Sequence, residues 1–104
     1  MKIYIAGKVT GDPDYRDKFA RAEKAVITGG NEPINPARLN LPESCSWDDY
    51  MGLTLRMLDM ADAIALLPDW RESPGACMEH GYALAKDMLV VRVTEKDLEK
   101  YWGI

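Results

Sequence analysis

The chain has 104 residues, 47% of them hydrophobic, which suffices for one core and not for two, so it is read as a single domain over residues 1–104. Its 13 Lys and Arg against 17 Asp and Glu leave a net charge of −4, which excludes the clustered basic surface that duplex nucleic acid requires. Its apolar runs fall short of the ~18 residues of a membrane helix and the first is shorter than the ~7–15 of a signal-peptide core, so a cytoplasmic protein with no membrane partner is expected.

Lys2 to Ala6 is a β-rich run ended by Gly7 and reads as a buried first strand. Asp12-Pro13-Asp14 turns the chain, and Tyr15, Phe19, Ala22 and Val26 then recur with helical spacing until Gly29-Gly30, which predicts a helix from about Asp14 to Thr28. Asn31 to Asn35 is a second strand, confined to a sheet edge by Pro33, which lacks a ladder donor. Pro36 to Ser46 is a polar connection, and Ser46 caps a helix whose stripe is Trp47, Met51, Thr54, Leu58 and Ala61. Asp48 and Asp49 suit its positive end.

Ala63 to Leu67 is apolar without alternation, as in a strand covered on both faces, and Pro68 ends it. Ser73-Pro74 starts a third helix running to about Lys86. Met88 to Val93 is a further apolar strand, and Thr94 to Asp97 forms a capping box for a short terminal helix. Strands alternating with helices imply right-handed crossovers. The expected fold is therefore α/β, a small doubly wound (flavodoxin/Rossmann-like) parallel sheet of about four strands in the order 2-1-3-4, with helices on both faces. Such sheets bind ligands beyond the carboxyl ends of their strands, so the candidate site comprises Ala6 to Thr10, Asn35 to Arg38, Pro68 to Glu79, and Arg92.

Within that set, Gly75 and Ala76 leave the backbone N–H groups of the third helix open to an anion, or simply make a good helix start. Glu79 either faces solvent or, if Ala76, Tyr82 and Ala83 face the sheet, projects into the cleft with a raised pKa. Asp69 and Glu72 follow the third strand on the ligand edge, where each is either a second carboxylate for acid–base work or a solvated turn residue. Asp62, at the opposite edge, is assigned a structural role. Tyr4 needs a partner for its hydroxyl, and Glu79 is the natural one. Lys8, Thr10 and Arg71 are within reach of a phosphate, or are ordinary loop residues. Trp70 is the aromatic expected to stack on a base, whereas Trp47 and Tyr50 are assigned to core packing. Cys45 and Cys77 have no ligand-like spacing to His80, the single histidine; no metal is expected, and the two thiols are read as unpaired, with a disulfide as the alternative.

The stretches Ile3-Tyr4-Ile5-Ala6-Gly7, Ile34-Asn35-Pro36-Ala37, Ala61-Asp62-Ala63-Ile64-Ala65-Leu66-Leu67-Pro68 and Ser73-Pro74-Gly75-Ala76-Cys77-Met78-Glu79-His80-Gly81-Tyr82-Ala83 together resemble the nucleoside 2-deoxyribosyltransferase superfamily, most closely its short bacterial and phage members. The resemblance spans nearly the whole chain. It implies retaining glycosyl transfer without cofactor or metal: Glu79 as nucleophile, Tyr4 positioning it, and Ser73 contacting the sugar or a 5′ group. The ligand implied is a small nucleoside or nucleotide, bound by Gly7, Lys8, Thr10, Asn35, Thr54, Trp70, Ser73 and Gly75. The family places a proton-donating Asp where this chain has Thr54, which carries no acid; Asp69 is the substitute expected. The resemblance further implies a homo-oligomer, with a catalytically silent nucleotide-binding module as the alternative function.

Overall fold

The computed structural model describes residues 1–101. Four strands, β1 (Lys2–Ala6), β2 (Glu32–Ile34), β3 (Ala63–Leu66) and β4 (Leu89–Arg92), form one all-parallel sheet in the order β2-β1-β3-β4. Four α-helices surround it: α1 (Tyr15–Thr28), α2 (Trp47–Asp59), α3 (Pro74–Ala85) and α4 (Glu95–Lys100). The fold class and strand order are those expected from the alternation of elements. No helix among the described residues is long and apolar enough to cross a membrane.

The pleat of β1 and β3 divides the core in two. Ile3, Ile5, Ala63 and Ala65 face α1 and α4, packing with Phe19, Ala22, Val26 and Leu98. Tyr4, Ala6, Ile64 and Leu66 face the other way, toward Leu58 of α2 and Ala76 and Ala83 of α3. Because side chains alternate across a strand, this pleat, and not the run of apolar residues as such, sends Tyr4 to the α2–α3 side. Helices that return a chain between parallel strands run from the carboxyl edge of the sheet to its amino edge. Trp47 and Pro74 therefore start their helices at the ligand edge.

Local chemistry sets the ends. Ser46 and Asp49 close a capping box on α2, with hydrogen bonds of 3.0 and 2.8 Å, and Thr94 and Asp97 do the same for α4. Gly29 follows α1, and Gly30, at φ +82°, takes the left-handed conformation that reverses the chain into β2. β2 stops at Ile34, one residue earlier than expected, because the Asn35 side chain accepts the Ala37 N–H at 2.9 Å and winds Pro36–Arg38 into a 3₁₀ turn. β4 starts at Leu89, because the Met88 N–H bonds the Ala83 carbonyl at 2.9 Å. At the amino edge Asp62 accepts the Lys2 N–H at 2.8 Å, a structural pairing. Cys45 and Cys77 are free thiols.

Candidate functional site

A cleft of about 160 Å³ opens at the carboxyl edge of β1 and β3. Three segments build it. Gly7, Val9 and Thr10 come from the loop after β1, Trp47 from the first turn of α2, and Ser73 to Ala76 with Glu79 from the start of α3. Ser73 caps α3 by accepting the Ala76 N–H at 3.1 Å, which fixes the helix relative to the cleft mouth.

Glu79 forms the chemical centre. It lies about a turn and a half into α3, between Ala76 and Ala83, and all three are buried. Glu79 is 5% exposed and lines the cleft. Its Oε2 accepts the hydroxyl proton of Tyr4 in a short hydrogen bond, and Tyr4 itself is fully buried in the middle of β1. Burial pushes the Glu79 carboxyl up to about 7 against the hydrogen bonds from Tyr4 and Thr54, which pull it down. The same burial, together with the nearby Glu79 charge, holds the Tyr4 phenol well above its ordinary value. Tyr50 feels both effects and is pushed up to about 12. A carboxylate that is desolvated, held by few hydrogen bonds and lining a cleft has the features of a nucleophile or proton carrier.

Gly7 has a packing role that its flexibility does not explain. A Cβ at this position would come within 2.5–2.9 Å of the Leu67 side chain, so only glycine lets the β1 loop lie against the end of β3. Gly75 is tight against Met51, whose sulfur would be 3.2 Å from an added Cβ. Thr54 is fully buried beneath the cleft. Its hydroxyl bonds the Met51 carbonyl at 3.3 Å and acts on both Tyr4 and Glu79, so it belongs to the support of the carboxylate and does not line the cleft.

Several residues expected at the site are engaged elsewhere. Asp69, the expected acid, forms an ion pair with Lys18 and accepts the Lys8 N–H at 3.1 Å. Its two oxygens thus join the loop after β3 to α1 and the loop after β1. Lys8 directs its ammonium to Glu72, 3.6 Å away. Asn35 caps its turn and donates to Glu23 at 2.7 Å, and Arg38 pairs with the same Glu23. Trp70 stands edge-on to His80, ring centroids 4.6 Å apart, with the Arg71 guanidinium over its face. The hollow it lines is a different one, shared with Arg92.

Trp47, expected in the core, is 47% exposed and forms a wall of the cleft, whereas Trp70 is half-buried and does not line it. Helical spacing correctly placed Trp47 on the sheet-facing stripe with Met51, Thr54 and Leu58. Its height was the missing information: a first-turn residue of a returning helix stands above the sheet edge, where no strand remains to cover it. Position within the helix, in addition to face, is the signal that identifies it.

A larger hollow of about 400 Å³ lies between α1 and α4, on the opposite face. Its two cations are paired within it, Lys18 with Asp12 and Arg21 with Asp17, and Asp14, Glu95 and Glu99 also line it. Among the described residues no group of three or more His, Cys, Asp and Glu is placed to hold a metal ion.

Residues 1–92, which carry all four strands and α1 to α3, match a family model described as Domain of unknown function (DUF4406). No curated protein matches the chain.

Proposed function

The chain belongs to the DUF4406 family, and from its cleft we propose that it is an N-glycosidase or 2-deoxyribosyltransferase-like enzyme acting on a small nucleoside or nucleotide, with Glu79 as nucleophile. One observation carries this reading: a single carboxylate among the described residues that line the cleft is buried and held by Tyr4. The Tyr4 bond engages Oε2, and a carboxylate oxygen of Glu79 is the attacking atom. In a retaining mechanism that oxygen adds to the anomeric carbon as the base departs, and water or a second base then resolves the glycosyl ester. Tyr4 and Thr54 act by positioning the carboxylate and stabilising its ionised form. Ser73, Gly75 and Thr10 line the mouth, where the sugar hydroxyls or a 5′ group would sit.

Base release from a panel of deoxynucleosides and their monophosphates, followed chromatographically with Glu79→Gln as control, tests the proposal. The expected result is release from at least one compound, lost in the variant. No turnover at high enzyme concentration ends it.

A second reading, a silent module that binds a nucleotide-derived ligand, is favoured by one specific feature. Asp69 is committed to Lys18 and the Lys8 N–H, so no second carboxylate lines the cleft to protonate a departing base. Saturable binding in calorimetry, with the ligand recovered unchanged, identifies that case. Self-association belongs to the first reading as well. The outer face of α3 presents Cys77, Met78, Gly81, Leu84 and Ala85, all exposed and none charged, a composition usual for a helix that is covered. Sedimentation giving a monomer at high concentration would remove it.

A further inference from the structure

Once Glu79 is ionised the cleft carries a negative charge, and no second carboxylate among the described residues lines it. Glu79 is the only titratable group among the described residues that line it. The neighbouring cations are directed elsewhere: Lys8 to Glu72, Lys18 to Asp12 and Asp69, Arg16 to the Ala37 carbonyl at 2.9 Å. A partly desolvated negative charge with no compensating cation attracts a positive ligand. Trp47, half exposed, lines the same cleft, and an indole face is the best aromatic partner for a cation.

Resting on the glycosyl-transfer reading of this cleft, we propose that the leaving group is a cationic N-heterocycle, so that the substrate is an N-pentosylpyridinium and not a neutral nucleoside. The charged ring stacks on Trp47, with the anomeric carbon of the attached pentose toward Glu79. Glu79 then adds an oxygen to that carbon as the carbon–nitrogen bond breaks. The bonding pair passes to the ring nitrogen and cancels its positive charge, so a neutral pyridine departs without needing a proton. Water attacks the glycosyl ester, the pentose leaves with a hydroxyl at its anomeric carbon, Glu79 returns as a carboxylate, and one proton goes to solvent.

A neutral nucleoside must instead expel its base as an anion or find a proton donor, and lacking a general acid costs ~10²- to 10⁴-fold in rate. The departures from the expected acid, Thr54 beneath the cleft and Asp69 bound to Lys18, therefore cease to be defects. A leaving group that carries its own positive charge has no use for an acid.

The probes are nicotinamide riboside and its 2-deoxy counterpart, set against deoxyadenosine and deoxyuridine. Each catalysed rate is divided by the uncatalysed rate of the same compound, which removes the greater intrinsic lability of the pyridinium. The expected result is a rate enhancement at least ~10² larger for the charged pair, one proton released per turnover, and loss of both in Glu79→Gln. Trp47→Ala should raise KM for the charged pair about tenfold at nearly constant kcat. Equal or greater enhancement of the neutral nucleosides would overturn the charge preference and leave the glycosyl reading standing. Absence of turnover across all four probes would overturn both.

Discussion

Glu79 and Asp69 are both carboxylates at the carboxyl edge of the same sheet, ten residues apart in sequence, and their surroundings differ. Asp69 has a partner for each oxygen, the Lys18 ammonium and the Lys8 N–H. Lys18 extends the network to Asp12 at 2.5 Å and to the Lys8 carbonyl at 2.8 Å. Glu79 has the Tyr4 hydroxyl and the influence of Thr54, in a cleft whose other described lining residues carry no charge. One carboxylate is spent on holding two loops and a helix together. The other is buried with too few donors to make ionisation easy, and its pKa rises to about 7. Location at a ligand edge nominates candidates; the tally of compensating partners separates the structural from the chemical.

The largest effect that would test this contrast belongs to Glu79→Gln, which keeps the shape and an acceptor for Tyr4. Turnover should fall ~10⁴-fold or more, as when a nucleophile is removed. For the unaltered protein, kcat/KM should rise with pH through about 7, where Glu79 ionises. Stability runs the opposite way. The folded chain holds the Glu79 proton up to about 7, the unfolded chain loses it near 4.5, so between those values the native state binds more protons and its stability falls as pH increases. The full penalty, ~3 kcal/mol, is present above that window. Glu79→Gln should remove this slope and be the more stable protein at about pH 8, as chemical denaturation at a series of pH values would measure. A variant that is inactive yet no more stable at alkaline pH would contradict the account of a strained carboxylate.

A smaller effect sharpens the role of Tyr4. Tyr4→Phe removes the hydrogen bond that favours ionised Glu79, so kcat/KM near neutrality should drop ~10- to 100-fold, the worth of a hydrogen bond to a charged group. Removing a stabilising donor raises the Glu79 pKa further, and the ascending limb of the pH profile must therefore move to higher pH. Loss of packing alone would lower the whole profile without moving the limb, which makes the limb the deciding measurement.

How far these contacts could be foreseen depends on how far apart in sequence the partners are. The parallel sheet, its order and the helix starts follow from local periodicity and capping. The aim of Glu79 stays open at that level, solvent or cleft, and is settled by Ala76 and Ala83 on either side of it being buried with it. Tyr4 with Glu79 was legible as a pairing of a buried hydroxyl with a carboxylate at the right end of the sheet. The fates of Asp69, Lys8 and Asn35 were not, since their partners Lys18, Glu72 and Glu23 come from other elements and several charged residues competed for each. Trp47 was misplaced because periodicity gives the face of a helix and says nothing of height above the sheet. β4 reads as an apolar strand at the end of the order 2-1-3-4, and at that edge Leu89 is exposed.

The smallest expected effect on turnover comes from Asp69→Asn, and it separates the two carboxylates most directly. The substitution leaves an acceptor for the Lys8 N–H but withdraws the charge from Lys18, whose ammonium is mostly buried and keeps only Asp12 as an ionic partner. A half-buried ion pair deprived of one member should cost ~1–2 kcal/mol of stability. Turnover should change by less than ~3-fold, because Asp69 shares no partner with Glu79 and does not line the cleft. A loss of activity on the scale of Glu79→Gln, with stability intact, would make Asp69 a chemical group after all. It would mean that the loop after β3 releases Lys18 and turns its carboxylate into the cleft when substrate binds.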